Sequence, residues 1–351
     1  RILNQMVQIS KHFKALIQLL AIAQTSLSFL RSHKIPHSPL IKVKFSSESS
    51  AQDVPPVPMS NKDDHLISAL SGNGEVLVKC LTARNLVQDA LIKQDLRPLA
   101  TDALGRAMIC TLLCAHGLKD QETLQFVFSG DGPLNGVVAI SDGEGGVRGY
   151  VGDGKVDFGP GNDVSIGIGK GFLKVVRNHP DYERPYSGIV ELRNSQVSYD
   201  VAGYLRDSQQ SESIAVASGV KVTQALVQQA GGYIIETLPG ASEETIKQCA
   251  LNVSKLMLQN ENPSELLSQG MTPTSIAEVL LTDLGGINSL SMKKPAFICH
   301  CSSERVFRAL RLLGKEEVLE ILEKNDEIEA KCDFCNLVYK FPKKQVIEEL
   351  E

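Results

Sequence analysis

The sequence predicts an α+β protein: an N-terminal domain of antiparallel sheet packed with helices, a helical linker, and a small C-terminal domain with four cysteines. Short strand-like runs separated by glycine-rich turns are typical of antiparallel hairpins. Apolar residues at helical spacing indicate the helices between them. The cysteines form a C-x-C and a C-x-x-C pair in the last fifth of the 351 residues. A chain of this length favours two folded units plus extensions.

The first 60 residues are predicted to be an organelle transit peptide followed by a disordered linker. Residues 1–47 hold seven Lys or Arg and no acidic residue, and a run rich in serine and proline follows at 48–61. Because a basic, acid-free leader is typical of transit peptides, we expect an organelle location, chloroplast more than mitochondrion. A membrane anchor is the competing interpretation, but the interrupted apolar stretch from Ala15 to Leu30 is shorter than the roughly 20 residues that span a bilayer.

The charge distribution argues against nucleic acid and membrane as partners. The net charge is -5, but the seven basic residues of the leader leave 29 Lys or Arg against 41 Asp or Glu in the rest, a net charge of -12. Proteins that bind nucleic acid or a membrane surface usually display a basic patch. We therefore predict that the folded part of this chain binds neither.

The core domain is predicted over 61–239, where most strand-like runs occur. These runs cover Glu75–Leu81, Leu124–Phe128, Gly136–Ser141, Val147–Val151, Val164–Val176 and Ser187–Val190. The turns SGDGP at 129–133 and DGEGG at 142–146 separate several of them, which indicates hairpins. Helices are predicted over Leu99–His116, from its apolar stripe, and over Val197–Gln209.

Residues 240–294 are predicted to be a metastable helical linker. The segment has helical character but is weakly apolar, and helix-breaking residues interrupt it at Pro263, Gly270, Pro273, Gly285 and Gly286. Few buried apolar contacts make a segment prone to local unfolding. We therefore expect a loosely packed connection between the core domain and the C-terminal module.

The last segment, 295–351, is predicted to fold around Cys299, Cys301, Cys332 and Cys335. Ser302 or Ser303 can cap a first helix, ERVFRALRLL; a second helix, KEEVLEILEKN, follows; and the strand-like runs EIEAKC and LVYKF flank the C-D-F-C turn. Four thiolates complete the tetrahedral coordination of one zinc ion, which predicts a closed structural site. Because about sixty residues bury little core, the bound metal should supply much of the folding energy.

The same cysteines allow a structural zinc ribbon or a redox switch. Zinc thiolates are already deprotonated, and an accessible thiolate is the species that peroxide oxidises. A disulfide between Cys299 and Cys301 would close a short ring of poor geometry, which makes it labile and favours the switch. His300 lies between them, but four cysteines already complete the coordination. Iron–sulfur clusters generally use other spacings, so zinc is preferred.

No catalytic site is predicted, and the chain is expected not to be an enzyme. It contains no nucleophile elbow and no H-E-x-x-H motif, and the glycine-rich segments 130–136 and 167–171 match neither the dinucleotide nor the Walker pattern. We interpret those segments as turns. The remaining cysteines, Cys80, Cys110, Cys114 and Cys249, are interpreted as small buried residues. The four-residue spacing of Cys110 and Cys114 also allows a cysteine pair or a metal site.

The motifs together resemble the heat shock protein 33 family of redox-regulated chaperones. The resemblance is carried by C-H-C-S-S-E-R at 299–305 and C-D-F-C at 332–335, and by QFVFSGDGPLNGVVAISDGEGGVRGYV, YSGIVEL and GGYIIETLPGA at 125–151, 186–192 and 231–241. It covers residues 62 to 345. His300 departs from the family pattern, in which a small or hydroxyl residue is common.

The resemblance implies an ATP-independent holdase that binds unfolding client proteins under oxidative and heat stress. It implies that one Zn²⁺ is held by the four cysteines and is released when oxidation forms the disulfides Cys299–Cys301 and Cys332–Cys335, which unfolds the zinc module and the linker at 240–294. It further implies a monomer when reduced, a homodimer when oxidised, and a cytoplasmic location for members without a leader. The alternatives are a thiol-disulfide oxidoreductase, which the lack of a thioredoxin-like setting disfavours, and a zinc-ribbon interaction module.

Overall fold

The computed structural model describes residues 41–43, 63–156, 163–208, 213–223, 226–259, 262–312 and 315–350. Apart from residues 41–43, the predicted transit peptide and linker at 1–60 lie outside the described residues. Helices and mainly antiparallel strands make up the described chain, so the α+β prediction is confirmed.

The described strands and helices alternate irregularly along the chain. The strands are β1 (Ile41–Val43), β2 (Leu66–Ser71), β3 (Val76–Thr82), β4 (Thr123–Gly130), β5 (Val137–Asp142), β6 (Gly146–Val151), β7 (Gly171–Asn178), β8 (Tyr186–Glu191), β9 (Ser213–Val222), β10 (Val227–Thr237), β11 (Ile287–Lys293), β12 (Ala296–Phe297), β13 (Glu327–Cys332) and β14 (Val338–Pro342). The helices are α1 (Arg84–Gln94), α2 (Pro98–Ala115), α3 (Val164–Ile168), α4 (Val197–Ser208), α5 (Glu243–Gln259), α6 (Pro263–Ser268), α7 (Pro273–Leu280), α8 (Ser303–Arg311), α9 (Lys315–Lys324) and α10 (Lys343–Leu350).

The described strands form three sheets. The core domain contains a five-stranded sheet, in the order β11-β2-β3-β10-β9, and a six-stranded sheet, in the order β12-β6-β5-β4-β7-β8. Neighbouring strands are antiparallel except β12, which runs parallel to β6. The third sheet, β1-β13-β14, belongs to the C-terminal module.

The main core lies around α2, which contacts both large sheets. Strand β4 alternates as its sequence predicts, so Phe126 and Phe128 are fully buried beside Leu104 and Met108 of the helix. Among the described residues α2 alone is long and apolar enough to cross a membrane, and 78% of it is buried inside the protein. Its apolar character is therefore explained by its central position in the core.

The segment predicted as a helical linker forms a second core on the five-stranded sheet. Leu256 of α5 and Leu280 of α7 are buried there against Tyr233 and Ile235 of β10. The helical prediction is confirmed as far as Leu280, but Ile287–Lys293 is the strand β11, paired with the edge strand β2.

The change from helix to strand follows the glycine pair at 285 and 286. Both glycines adopt positive φ, of 81° and 71°, which ends the helical path. The Gly72 N–H also donates to the Gly286 carbonyl at 2.8 Å, and a side chain at Gly72 would collide with Gly285. This close backbone approach places the following residues on the edge of the sheet.

The prediction of a strand over Val164–Val176 is wrong for the first part of that range. Residues Val164–Ile168 form the short helix α3, because the Asp163 carboxylate caps it by accepting from the Ser165 N–H at 3.0 Å. Gly169, at φ 72°, then turns the chain into β7. Local capping chemistry therefore overrides the strand preference of the apolar residues.

An ion pair between a buried carboxylate and a partly exposed arginine gives the core domain a defined pH dependence. The Glu122 side chain is fully buried, and its carboxylate accepts from Arg177 at 2.8 and 2.9 Å and from the Tyr182 hydroxyl at 3.0 Å. The hydrogen bonds from Arg177, followed by those from Lys119 and Tyr182, lower the pKa of Glu122 from 4.5 to about 2. Because the folded-state pKa is the lower one, this stabilisation is present above pH 4.5 and is lost as the pH falls towards about 2.

We expect Glu122→Gln to lower the free energy of unfolding at neutral pH and to flatten its dependence on pH between 4.5 and 2. The glutamine keeps the shape of the side chain but removes the charge that Arg177 stabilises. Urea unfolding at several pH values measures both effects. Glu183→Gln, at an exposed position in the connection between β7 and β8, is the matched control, and equal pH profiles for the two variants would contradict the assignment.

Candidate metal centre

Two turns bring the four cysteines together. Cys299 and Cys301 follow β12 directly, and the Ser302 hydroxyl then caps α8 by accepting from the Arg305 N–H. Cys332 ends β13, and its carbonyl accepts from the Asn336 N–H at 2.9 Å. Asn336 has φ 61°, which closes the turn that carries Cys335 and leads into β14.

The four sulfur atoms converge on one point. The Sγ atoms of Cys299 and Cys332 are 3.7 Å apart, those of Cys301 and Cys335 are 3.4 Å apart, and all four lie within 4.8 Å of one another. Zinc–sulfur bonds of about 2.3 Å place tetrahedral sulfurs roughly 3.8 Å apart, so the four thiols fit a zinc ion. His300 does not belong to the cluster.

Hydrogen bonds favour the thiolate form at Cys332. The hydrogen bond between the Cys299 and Cys332 thiols and the backbone N–H groups of Cys335 and Phe334 lower the pKa of Cys332, whereas burial raises the pKa of Cys335. The hydrogen bond to Cys332 and burial raise the pKa of Cys299. Because four thiolates at these distances repel one another, the cluster needs a cation to ionise fully.

Two residues that sequence reasoning missed lie next to this cluster. The Tyr339 hydroxyl donates to the Cys301 sulfur at 3.1 Å, which raises the pKa of Tyr339. Arg148 of β6, in the core domain, lines a cleft of about 170 Å³ together with three of the cysteines, His300 and Arg305. Strand alternation alone could have placed Tyr339 on one face of β14, but no sequence signal connects Arg148 to the cysteines.

Tyr339→Phe is expected to leave the fold intact and to weaken zinc binding by about tenfold, a typical cost of removing a hydrogen bond to a metal ligand. The ring remains packed against the module core, while the Cys301 thiolate loses its hydroxyl donor. Zinc transfer to a competing chromogenic chelator measures the change. Equal transfer from this variant and the unmodified protein would contradict the role of the hydroxyl.

The second cysteine turn is docked on the core domain through Phe334. Its ring packs edge-on against Tyr150 at 5.2 Å between centroids, and the Arg148 guanidinium lies 5.2 Å from its centre. The Gln94 side chain donates to the carbonyls of Phe334 and Gly149 at 2.8 and 2.7 Å. The turn thus contacts both α1 and β6.

The module has a small core of its own. Val306, Phe307, Leu310, Val318 and Phe341 are its central buried residues, with the rings of Phe307 and Phe341 5.5 Å apart. A core of this size is small for an independent domain, and the metal dependence of the module stays a prediction.

The other cysteines occupy the core, as predicted. Cys80, Cys110 and Cys249 are buried, and Cys114 is half-buried against the main core. Burial raises the pKa of Cys110 to about 12 and that of Cys249 to about 11, so both remain protonated thiols. None of them joins a cluster of three or more potential ligands in the described part of the chain.

The glycine-rich segments form backbone contacts with each other. The Gly132 N–H donates to the Ile168 carbonyl at 2.9 Å, and the Leu134 N–H donates to the Gly167 carbonyl at 3.0 Å. These backbone groups are therefore occupied within the protein, which supports the interpretation of the segments as turns.

Comparisons with known proteins match nearly all of the folded chain. The family model described as Hsp33 protein matches residues 64–342. The 33 kDa chaperonin of Clostridioides difficile is 33% identical over 82% of this chain and 99% of its own length, and that of Acaryochloris marina is 38% identical over 81% and 95%. The crystal structure of the 33 kDa chaperonin (heat shock protein 33 homolog) of Thermotoga maritima, at 28% identity, matches with a TM-score of 0.75 over 82% of this chain and 98% of that one.

Proposed function

The chain belongs to the Hsp33 family, and from this premise we propose that it is an ATP-independent holdase whose client binding is controlled by the oxidation of Cys299, Cys301, Cys332 and Cys335. In the reduced state the four thiolates hold one Zn²⁺ and the module stays docked. In the oxidised state the zinc is released, and the module and linker unfold to bind clients. The family and the α+β fold agree with the sequence prediction.

The convergence of the four sulfurs supports this proposal most directly. With bound zinc they would form a closed site that supplies structural stability and leaves no position for substrate. Cys299, Cys301 and Cys335 are half-buried, whereas Cys332 is buried. Three of the thiolates are therefore accessible to a small oxidant, which is the requirement for a switch.

Oxidation would change the site by two balanced steps. Each pair of zinc-bound thiolates would give two electrons to one hydrogen peroxide, which takes up two protons from the solvent, so that one disulfide and two molecules of water form and the zinc loses two ligands. We propose the pairs Cys299–Cys301 and Cys332–Cys335. A disulfide sulfur is a much weaker ligand than a thiolate, so the module would lose its metal and the folding energy that the metal provides.

The surface properties of the linker, residues 240–294, suit a segment that unfolds after the zinc module has lost its metal. In α5 one face is buried on the five-stranded sheet, but Leu251, Met257 and Leu258 are exposed. Strand β11 lies at the edge of the same sheet and is mostly exposed. Unfolding of this segment would uncover the second core and supply apolar surface for clients.

The partners and location follow the same proposal. We propose unfolded or partly folded proteins as clients, a monomer in the reduced state, a homodimer in the oxidised state, and an organelle location, chloroplast more than mitochondrion.

The second cysteine pair lies between strands β13 and β14. A thioredoxin-like pair lies at a strand-to-helix junction, so this setting weighs against an oxidoreductase.

The proposal is tested by treating the reduced, zinc-loaded protein with hydrogen peroxide at raised temperature. We expect zinc release, loss of four thiols and suppression of the aggregation of a thermally unfolding client to appear together and without ATP. Peptide mapping should recover the two proposed disulfides. An oxidised, zinc-free protein that left client aggregation unchanged would refute the holdase function, and turnover in an insulin-reduction assay would favour an oxidoreductase instead.

A further inference from the structure

A narrow cleft lies between the zinc-binding turns and the core domain, and an arginine lines it from each side. Its volume is about 170 Å³. Arg148 of β6 lies on the side of the core domain and Arg305 of α8 on the side of the module, and Cys299, Cys301 and Cys332 also line the cleft. Three of the four sulfurs therefore share this space with two guanidinium groups.

Arg148 reaches the metal centre from the core domain. Its guanidinium lies 5.2 Å from the centre of the Phe334 ring, in the turn of the second cysteine pair. Burial lowers the pKa of Arg148 from 12.5, and the charge of Cys299 gives the largest opposing effect, ahead of Cys332 and Asp142. The Asp142 carboxylate also accepts from backbone N–H groups of its own hairpin turn. The cysteine sulfurs are therefore the main anionic groups beside Arg148.

We propose that Arg148 sets the rate at which zinc-bound Cys299 reacts with oxidants, because its positive charge compensates part of the negative charge of the metal centre. The inference rests on the proposed zinc centre and redox switch, and it adds a residue of the core domain that controls their reactivity. Cys299 is half-buried and open to a small oxidant, whereas Cys332 is buried. The third sulfur of the cleft, Cys301, instead accepts a hydrogen bond from the Tyr339 hydroxyl at 3.1 Å.

The bound zinc decides whether Arg148 speeds or slows the reaction. A cation beside a free cysteine usually speeds its reactions, because it increases the fraction of the cysteine that is present as thiolate. A zinc-bound sulfur is already a thiolate, so this contribution is absent. What remains is the loss of nucleophilicity that accompanies electrostatic stabilisation of a thiolate. We therefore expect Arg148 to slow the reaction.

Attack on hydrogen peroxide moves negative charge away from the guanidinium. The Cys299 sulfur forms a bond to one oxygen as the O–O bond breaks, and the leaving hydroxide takes up a proton from the solvent, so that a sulfenic acid and water form. Four thiolates around one Zn²⁺ carry a net charge of −2, and conversion of one of them to the sulfenic acid reduces it to −1. The cation therefore stabilises the starting site more than the transition state.

The two arginines differ in how they depend on docking of the module. Arg305 is carried by α8, and its side chain donates to the His300 carbonyl at 2.8 Å, so its charge stays with the cysteines. Arg148 belongs to β6, so its charge acts on the cysteines only while the module is docked. The reactivity of Cys299 is therefore coupled to the contact between the core domain and the module.

Arg148→Gln tests the effect of the charge. The reduced protein, with one zinc per chain, is treated with limiting iodoacetamide, an uncharged reagent from which iodide leaves as the sulfur–carbon bond forms. Mass spectrometry of singly modified chains gives the rate at each cysteine. We expect alkylation of Cys299 to be about fivefold faster than in the unmodified protein, and that of Cys335, which does not line the cleft, to change by less than about twofold.

Arg148→Lys and Arg184→Gln are the controls. Lysine keeps the positive charge but loses the planar group that lies over the Phe334 ring, so Arg148→Lys should react at Cys299 within about twofold of the unmodified protein. Arg184→Gln removes the same charge at an exposed position in the connection between β7 and β8, and should leave the rate at Cys299 unchanged. Hydrogen peroxide in place of iodoacetamide should rank the zinc release of the variants in the same order.

Three results would overturn the role of Arg148. The first is equal alkylation of Cys299 in Arg148→Gln and Arg184→Gln. The second is an Arg148→Lys protein that reacts as fast as Arg148→Gln, since the contact with the Phe334 ring and not the charge would then be the cause. The third is an equal increase at Cys299 and Cys335, which would indicate that the whole module has loosened.

The same measurements separate this inference from the proposed function. An unmodified protein that shows the expected rates but does not suppress client aggregation after oxidation refutes the holdase function and leaves the role of Arg148 standing. An unmodified protein that holds no zinc in the reduced state refutes the metal centre and this inference together.

Discussion

Cys332→Ser is expected to unfold the C-terminal module while the core domain keeps its stability. Serine is a poor zinc ligand, and structural zinc supplies about 10–16 kcal/mol of apparent folding free energy in small zinc-dependent domains. The nine core residues that are buried in the described part of the module do not replace a contribution of that size. Cys332 is also the buried member of the four-cysteine cluster, so its replacement removes the ligand that lies deepest in the module.

Three measurements on the reduced protein check this result. Zinc content should fall from one ion per chain to nearly none, protease should cleave within 295–351, and the thermal transition of the core domain should remain. Cys114→Ala is the matched control, because Cys114 is half-buried in the core domain and lies outside the cluster. A Cys332→Ser protein that retained a full complement of zinc and a protease-resistant module would contradict the site.

Gly130→Ala is expected to destabilise the core domain by about 3 kcal/mol or more, because overpacking against fixed backbone forces the chain to move. A Cβ atom at Gly130 would lie 1.9 Å from the Ile168 carbonyl oxygen and 2.8 Å from its carbon. Neither atom can rotate away, since both belong to the backbone that joins α3 to β7. The free energy of urea unfolding measures the loss.

Gly203→Ala separates this clash from the general effect of adding a methyl group. Gly203 lies within α4, and a Cβ there would meet its nearest neighbour, Arg193, only at 3.9 Å. Because alanine has a higher helix propensity than glycine, we expect the free energy of unfolding of this variant to rise by about 0.5–1 kcal/mol. Equal stability changes in the two variants would show that the contact between the glycine-rich segments does not constrain the fold.

The strands and the long helix were predictable because their signals are local. The alternation in β4 and the helical spacing of apolar residues in α2 each lie within one short window of sequence. The errors arose where another interaction outweighed the local preference, once within a few residues and once between distant segments. At Val164–Ile168 a capping aspartate overrode apolar strand formers, and at Ile287–Lys293 the pairing with β2 overrode the helical character of the preceding residues.

The sequence by itself determined the candidate zinc ligands and the family, because both depend on short motifs with fixed spacing: Cys299, Cys301, Cys332 and Cys335 carry their chemistry wherever the chain places them. Only the tertiary structure decided what surrounds them. Tyr339 reaches Cys301, and Arg148 and Tyr150 meet Phe334, through packing between distant segments. Gln94 and Phe334 are 240 residues apart in the chain, and a contact over that distance is set by how whole elements pack.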